Sequence, residues 1–218
     1  MMTRRLVMLA LAAAVALPSW AAQQTDDEVD FIRAAQLDGV DRVKKALSRG
    51  VNPNTRDSNG ETGLIIAMRY ESLKVARLLM DTPGIDLEAK APNGNTALMM
   101  AAFRNNRAAV MDLLNHGAQV NQKGWTALHY AAAAGSVEIT SLLLENHAYI
   151  DAETPTGMTP LMIAAREGQE DVVGLLLVEG ADATLQDRGF HLTAAGFALK
   201  AEKPWIAKSI NAFLAKKQ

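Results

Sequence analysis

Gly124-Trp125-Thr126-Ala127-Leu128-His129-Tyr130-Ala131-Ala132 returns four more times along the chain. Thr159-Pro160-Leu161-Met162-Ile163-Ala164-Ala165 is one copy and Thr96-Ala97-Leu98-Met99-Met100-Ala101-Ala102 a second. Thr62-Gly63-Leu64-Ile65-Ile66-Ala67 is a third, and Thr193-Ala194-Ala195 a worn fourth. The steps from threonine to threonine are 34, 30, 33 and 34 residues. A period near 33 describes a unit that cannot bury its apolar side alone and must stack on its neighbours, so the period decides the architecture.

Each unit follows one physical logic. A polar turn with glycine leads to the threonine, whose hydroxyl can accept a bond from a backbone N–H two or three residues on and so start a helix. Pro160 follows its threonine at the first helical position, where a missing N–H costs nothing. The first helix carries small residues, Ala101-Ala102, Ala131-Ala132 and Ala164-Ala165, that let neighbouring helices approach closely. A turn follows at Gly135 and Gly168. The second helix presents apolar residues at helical spacing: Val75 with Leu78 and Leu79, Val110 with Leu113 and Leu114, Ile139 with Leu142 and Leu143, Val173 with Leu176 and Leu177. Gly50, Gly84, Gly117 and Gly180 then stop the helix, at a place that needs positive φ. In the fourth unit His147 stands there instead, and the register predicts that it adopts the left-handed region at some cost.

This pattern closely resembles the ankyrin repeat. The resemblance implies an all-α solenoid of helix-turn-helix pairs with short β-hairpin loops. Five to six repeats are expected over 29–218, at about 29–57, 58–90, 91–122, 123–153, 154–187 and 188–218, after a polar lead-in over 22–28. The first unit lacks the Thr-x-Leu-x-x-Ala motif and the last lacks the Leu-Leu pair, as caps would. From Val120 to Thr126 is six residues, where Leu87 to Thr96 and Ile150 to Thr159 take nine, so the hairpin between the third and fourth repeats should be blunt. Asp81-Thr82-Pro83-Gly84 inserts one residue into a helix-end turn.

Arg4 and Arg5, the apolar run Leu6 to Leu17, Pro18 and Ser19-Trp20-Ala21 read as a cleavable secretory signal peptide over 1–21. A twelve-residue run is too short for a bilayer, which takes about 20 residues, so no stable membrane anchor is expected. The short basic start looks bacterial, and the expected address is the periplasm. The chain has no cysteine, which excludes disulfides and lipid attachment at a cysteine. Cleavage would leave 20 basic against 24 acidic residues, a net charge of −4. That balance argues against nucleic acid or anionic lipid as main partners.

No nucleophile, base and acid share a supporting spacing, so no catalytic residue, metal site or cofactor is expected. His116, His129, His147 and His191 occupy unrelated repeat positions. In ankyrin repeats the imidazole at the place of His129 braces the hairpin against the helix. Met99 and Met162 share that position, and packing explains them better than copper(I) binding does. Asp57, Glu61, Glu88, Asp151, Glu153 and Asp187 read as a solvated edge.

The resemblance implies binding by surface: hairpin tips and the exposed side of the first helices line a concave face that usually binds proteins. Carried over position by position, the tips are Glu61, Asn95, Trp125 and Met158, and the helix ends Arg69, Tyr70, Phe103, Arg104, Arg166 and Glu167. Trp, Tyr, Phe and Arg dominate binding energy at interfaces, and Tyr70, Phe103 and Trp125 fall on one face of a chain only 5% aromatic. Trp125 can equally be packed on a neighbouring hairpin. The leading function is a monomeric, non-enzymatic protein–protein interaction module. An accessory factor for an exported enzyme (in stress defence, for example), and an immunity or inhibitor protein against a periplasm-targeted toxin, are its two subclasses. A metal-binding protein and a self-assembling array are the rivals.

Overall fold

In a computed structural model, residues 24–216 are described; the segment read as a signal peptide lies outside them. Within that range twelve helices form six consecutive pairs. They are α1 (Asp26–Gln36) with α2 (Val40–Ser48), α3 (Gly63–Arg69) with α4 (Leu73–Met80), and α5 (Ala97–Phe103) with α6 (Arg107–Asn115). Then come α7 (Ala127–Ala134) with α8 (Val137–Glu145), α9 (Pro160–Glu167) with α10 (Glu170–Val178), and α11 (Ala194–Lys200) with α12 (Pro204–Lys216). Each first helix packs on the next first helix, and each second helix on the next second helix, giving two layers. No described helix is long and apolar enough to cross a membrane.

The threonines start the helices as expected. Thr62, Thr96, Thr159 and Thr193 accept the N–H three residues on, at 3.2–3.4 Å. Thr25 caps α1 with Glu28 reaching back in a reciprocal capping box, so the helix begins within the polar lead-in. The core is a row of residues seventeen positions after each threonine: Leu79, Leu113, Leu143 and Leu176 are fully buried. Ile210 takes that place in the last repeat, which is how it closes the array without a leucine pair. Truncating any of these to alanine costs about 2–5 kcal/mol. The first repeat fills its space differently. Phe31 is fully buried, and a Cβ on Gly63 would come within 2.7 Å of its ring.

The helix stops Gly50, Gly84, Gly117 and Gly180 all have φ of 81–101°, and His147 has φ 64°. His191 shares the condition at φ 53°, in the hairpin place held elsewhere by Gly60, Gly94, Gly124 and Gly157. The inter-helix turn departs from expectation. Its left-handed residue is glycine only at Gly135 and Gly168; the other four are Asp38, Glu71, Asn105 and Glu202. At the two glycines a flexible side chain of the next repeat fills the space a Cβ would take. A Cβ at Gly135 would meet the Gln169 side chain at 2.2 Å, and one at Gly168 would meet Lys203 at 2.5 Å. Over Asp38 the corresponding residue is the short Ser72, which leaves room and accepts the Asp38 N–H at 3.2 Å.

Side chains also stitch successive repeats at the hairpin bases. Asn54, Glu88, Asn121 and Asp151 each accept a backbone N–H of the following repeat, from Asp86, Gln119, Tyr149 and Asp182 at 2.7–3.1 Å. Glu88 and Asp151 are therefore structural acceptors rather than members of a solvated edge. Asp187 departs further from that reading: it is 3% exposed, and its carboxylate takes the N–H groups of Gly189, Phe190 and Leu192, each at 2.9 Å. The hairpins themselves are tight turns. Among the described residues one β-bridge forms, between Arg56 and Thr62.

Candidate protein-binding surface

Glu61 at a hairpin tip pairs with Arg69 at a first-helix end, so tips and helix ends share an edge, and the ten sequence-derived residues divide into three groups. Tyr70 and Phe103 are each 52% exposed and Trp125 is 36% exposed. The rings of Trp125 and Tyr130 lie 5.5 Å apart, and Phe103 meets Tyr130 edge-on at 6.0 Å. Phe103, Tyr130 and Trp125 are thus one aromatic patch spanning the third and fourth repeats. Trp125 stacks on its own repeat's first helix, 5.5 Å from His129, and keeps an open face. Tyr130 was missed in the sequence, where it occupies the place of the apolar Ile66, Met100, Ile163 and Phe197. Its hydroxyl is the signal: a polar group there needs a partner and room.

Asn95 and Met158 do not face a partner, because both are turned inward, at 7% and 8% exposure. Asn95 accepts the Tyr130 hydroxyl at 2.6 Å and so fixes the patch from below. Burial raises the Tyr130 pKa, and that hydrogen bond only partly offsets it. The Met158 carbonyl accepts from His129, and its Sδ lies 3.7 Å from Arg166.

The charged members carry their own counter-ions. Arg69 pairs with Glu61, Arg104 with Glu71 at 3.6 Å, and Arg166 with its neighbour Glu167 at 2.8 Å. Burial raises the Glu61 pKa, against the pull of Arg69. Glu61, Arg69 and Tyr70 line a shallow cleft of about 290 Å³ with Asp57 and Asn59, one repeat away from the aromatic patch. The edge is locally neutral, so its aromatic area can supply affinity while exposed ion pairs set orientation and contribute little on their own.

His129 is locked into the scaffold. Its Nδ1 accepts the Thr126 N–H at 3.1 Å, and its Nε2 donates to the Met158 carbonyl at 3.1 Å, in the next repeat's hairpin. The expected brace therefore joins two repeats. Burial lowers its pKa to about 4, against the opposing carbonyls of Met158 and Ala152, so the imidazole is neutral at pH 7. With both nitrogens engaged it is not available as a base. Met99 and Met162, in the same repeat position, are buried in the packing. Among the described residues no group of three or more His, Asp or Glu is placed to hold a metal ion.

The profile of a family described as "Ankyrin repeats (3 copies)" matches residues 31–124 and 112–187. The human transient receptor potential cation channel subfamily A member 1 is 33% identical over 159 residues, covering 68% of this chain and 14% of that protein. The mouse protein fem-1 homolog A-like is 38% identical over 139 residues, 62% of this chain and 21% of its own length. Human neurogenic locus notch homolog protein 1 is 33% identical over 146 residues, 65% of this chain and 6% of its own. The chain thus spans from about a twentieth to about a fifth of the length of these relatives.

Proposed function

We propose that this chain, which belongs to the ankyrin-repeat family, is an exported, non-enzymatic module that holds a partner protein in the periplasm with its first-helix and hairpin edge. Repeats of this family are general protein–protein interaction modules. The observation that carries the reading is the Phe103–Tyr130–Trp125 patch: Phe103 and Trp125, both exposed, each pack against Tyr130, which Asn95 holds by its hydroxyl, and self-paired charges lie nearby. Rigid, partly open aromatics are what an interface core requires, since little side-chain entropy is lost when they are covered. Export is supported by Arg4-Arg5, the apolar run Leu6 to Leu17 and Ser19-Trp20-Ala21.

The test is affinity capture from periplasmic extract of the source bacterium, using the chain from residue 22 and its double variant Phe103→Ala, Trp125→Ala. Circular dichroism establishes that both are folded. One protein retained by the native chain and reduced at least tenfold with the variant is the expected result. Equal retention by both, or no retained protein, overturns the proposed site. Fractionation of cells producing the full chain checks the address: the shortened chain should appear in the periplasmic fraction.

A further inference from the structure

The net charge of −4 over residues 22–218 averages two unequal parts. Residues 22–187 hold 14 basic and 23 acidic residues, a net −9, whereas residues 188–218 hold six basic residues and one acid, Glu202, a net +5. Beyond Arg188 every basic residue is a lysine: Lys200, Lys203, Lys208, Lys216 and Lys217. Among the described residues none of them forms an ion pair, not even with Glu170, Asp171 or Glu179 of the preceding repeat.

The same repeat leaves large apolar side chains open. The sixth residue after the motif threonine is buried in the four earlier copies, where Met68, Ala102, Ala132 and Ala165 are 0–2% exposed, but Leu199 is 58% exposed. The twelfth is an exposed Lys74, Ala108, Glu138 or Asp171 in those copies and becomes Trp205, 54% exposed. Phe190, 63% exposed, stands on the last hairpin where the others carry Asn59, Asn93, Lys123 and Thr156. Contacts elsewhere in the array give the direction. Arg77, fifteen residues after its threonine, reaches forward to Asp112 of the next repeat at 2.5 Å. Lys208 holds that place in the last repeat and so faces the open end, as Leu199 does. Trp205 lies one helical turn before Lys208. Lys200, beside Leu199, stands 3.1 Å over the Phe190 ring, which meets Phe197 edge-on at 6.4 Å.

We infer that this end of the array docks reversibly on an anionic phospholipid surface, with the lysine ammonium groups at the headgroups and Trp205, Leu199 and Phe190 in the interface beneath them. The kind of basic residue selects the occupant. Protein interfaces are enriched in arginine and depleted in lysine, and past Arg188 this end has lysine alone. Lysine is a point charge on a flexible apolar stem, which suits a diffuse layer of headgroups. Tryptophan settles where one side is apolar and the other wet. A nucleic acid would engage the lysines, leave Leu199 uncovered and meet the net −9 of the other repeats. A second copy offers no match: its last repeat repels by like charge, and its first repeat presents Asp27, Asp30, Arg42, Lys45 and Arg49, charges of both signs. Each lysine near an anionic surface strengthens attachment about fivefold, and salt weakens it. The aromatic edge, in the third and fourth repeats, is separate and stays free for a partner.

Flotation with lipid vesicles tests this, using the chain from residue 22. Binding is expected to phosphatidylcholine vesicles that contain phosphatidylglycerol, not to phosphatidylcholine alone, and should vanish at high salt. The double variant Lys208→Glu, Lys216→Glu, at two exposed positions, should bind at least tenfold more weakly with an unchanged circular dichroism spectrum. With Trp125→Phe, Trp205 is the single tryptophan from residue 22 on, and its emission should shift to the blue on the anionic vesicles. Phe103→Ala should bind vesicles as the native chain does, which keeps this test apart from that of the partner site. The inference is overturned if anionic vesicles are not bound, if neutral vesicles are bound equally, or if the double variant binds unchanged. It is also overturned if Trp205 emission does not move, or if duplex DNA or polyglutamate binds the chain more tightly than the vesicles do.

Discussion

Acid should loosen this array through one residue, His129. The ring is buried, its Nε2–H is committed to the Met158 carbonyl, and its Nδ1 lone pair is committed to the Thr126 N–H. A proton on Nδ1 would displace the bond from the Thr126 N–H and leave only the Thr126 hydroxyl, 2.9 Å away, to accept it, in a site away from water. Its pKa of about 4 in the fold, against 6.5 for an ordinary histidine, expresses this, with burial as the main cause. The sign follows directly. Between the two values the unfolded chain binds a proton and the folded chain does not, so the contribution is complete above about pH 6.5. It falls by about 1.4 kcal/mol for each pH unit below that and levels off near the folded value. From about pH 7.5 to about pH 4.5 the loss is about 2.5 kcal/mol, or about 5–10 °C in Tm for a chain of this size.

Other groups titrate in the same range, so the measurement must be a difference. His129→Met places there the residue that repeats three and five already use. The Sδ of Met162 accepts the Thr159 N–H at 3.4 Å, much as His129 Nδ1 accepts that of Thr126. Methionine cannot donate to the Met158 carbonyl, and that lost bond costs about 1 kcal/mol at neutral pH. Urea unfolding should therefore find the variant less stable by about 1 kcal/mol at about pH 7.5 and more stable by about 1.5 kcal/mol at about pH 4.5. The two stability curves should cross between about pH 5 and pH 6. Curves that run parallel within about 0.5 kcal/mol across this range would refute the argument.

Two further substitutions test the backbone reading. His147→Gly relieves a left-handed residue at φ 64° and should be neutral or stabilising by up to about 1 kcal/mol in thermal unfolding; a clear loss would sink the repeat register. Asp187→Ala removes an acceptor of three backbone N–H groups. It should cost about 1–3 kcal/mol, with faster amide exchange at Phe190 and Leu192. Although burial alone would raise the Asp187 pKa, the N–H groups of Leu192, Phe190 and Gly189 outweigh it and hold it below 3.8. Its contribution is present above 3.8 and is lost only as pH falls through the lower folded value, so it should stay constant where His129 is titrating.

The sequence made the architecture legible because what specifies it is local. A threonine cap acts three residues away, a leucine row acts at helical spacing, and a helix stop acts at one φ. Even the exception at His147 could be read this way. What escaped depends on residues 31 to 35 positions apart. What stands beside a turn residue is set by Ser72, Gln169 or Lys203 in the next repeat. Asn95 looked like a tip residue, yet Tyr130, 35 positions on, draws it inward. Glu88 and Asp151 looked like free acids because the N–H groups they hold, at Gln119 and Asp182, lie 31 residues away. The aromatic patch was half legible for the same reason: Phe103 and Trp125 stood out by type, whereas Tyr130, which joins them, sits in a position that is apolar in the other repeats.

The shortened hairpin shows how the array tolerates change at its edge. Asn121 lies before the missing residues, so its bonds to His147 and Tyr149 still tie the third repeat's hairpin base to the fourth repeat's helix end. His129 lies after them, and its bond to Met158 still ties the fourth repeat to the fifth. What the shortening removes is the closing bond of one tip, while α5 and α7 remain packed on either side of it. In an array stabilised by nearest-neighbour interfaces, a lesion that touches neither interface stays local. The tip is therefore free to differ from its neighbours without loosening the stack. The last hairpin makes the same point in the other direction: its closing bond, from the Asp187 N–H to the Leu192 carbonyl at 3.1 Å, spans one residue more than those at 57–61, 91–95 and 154–158, and α9 and α11 remain packed beside it.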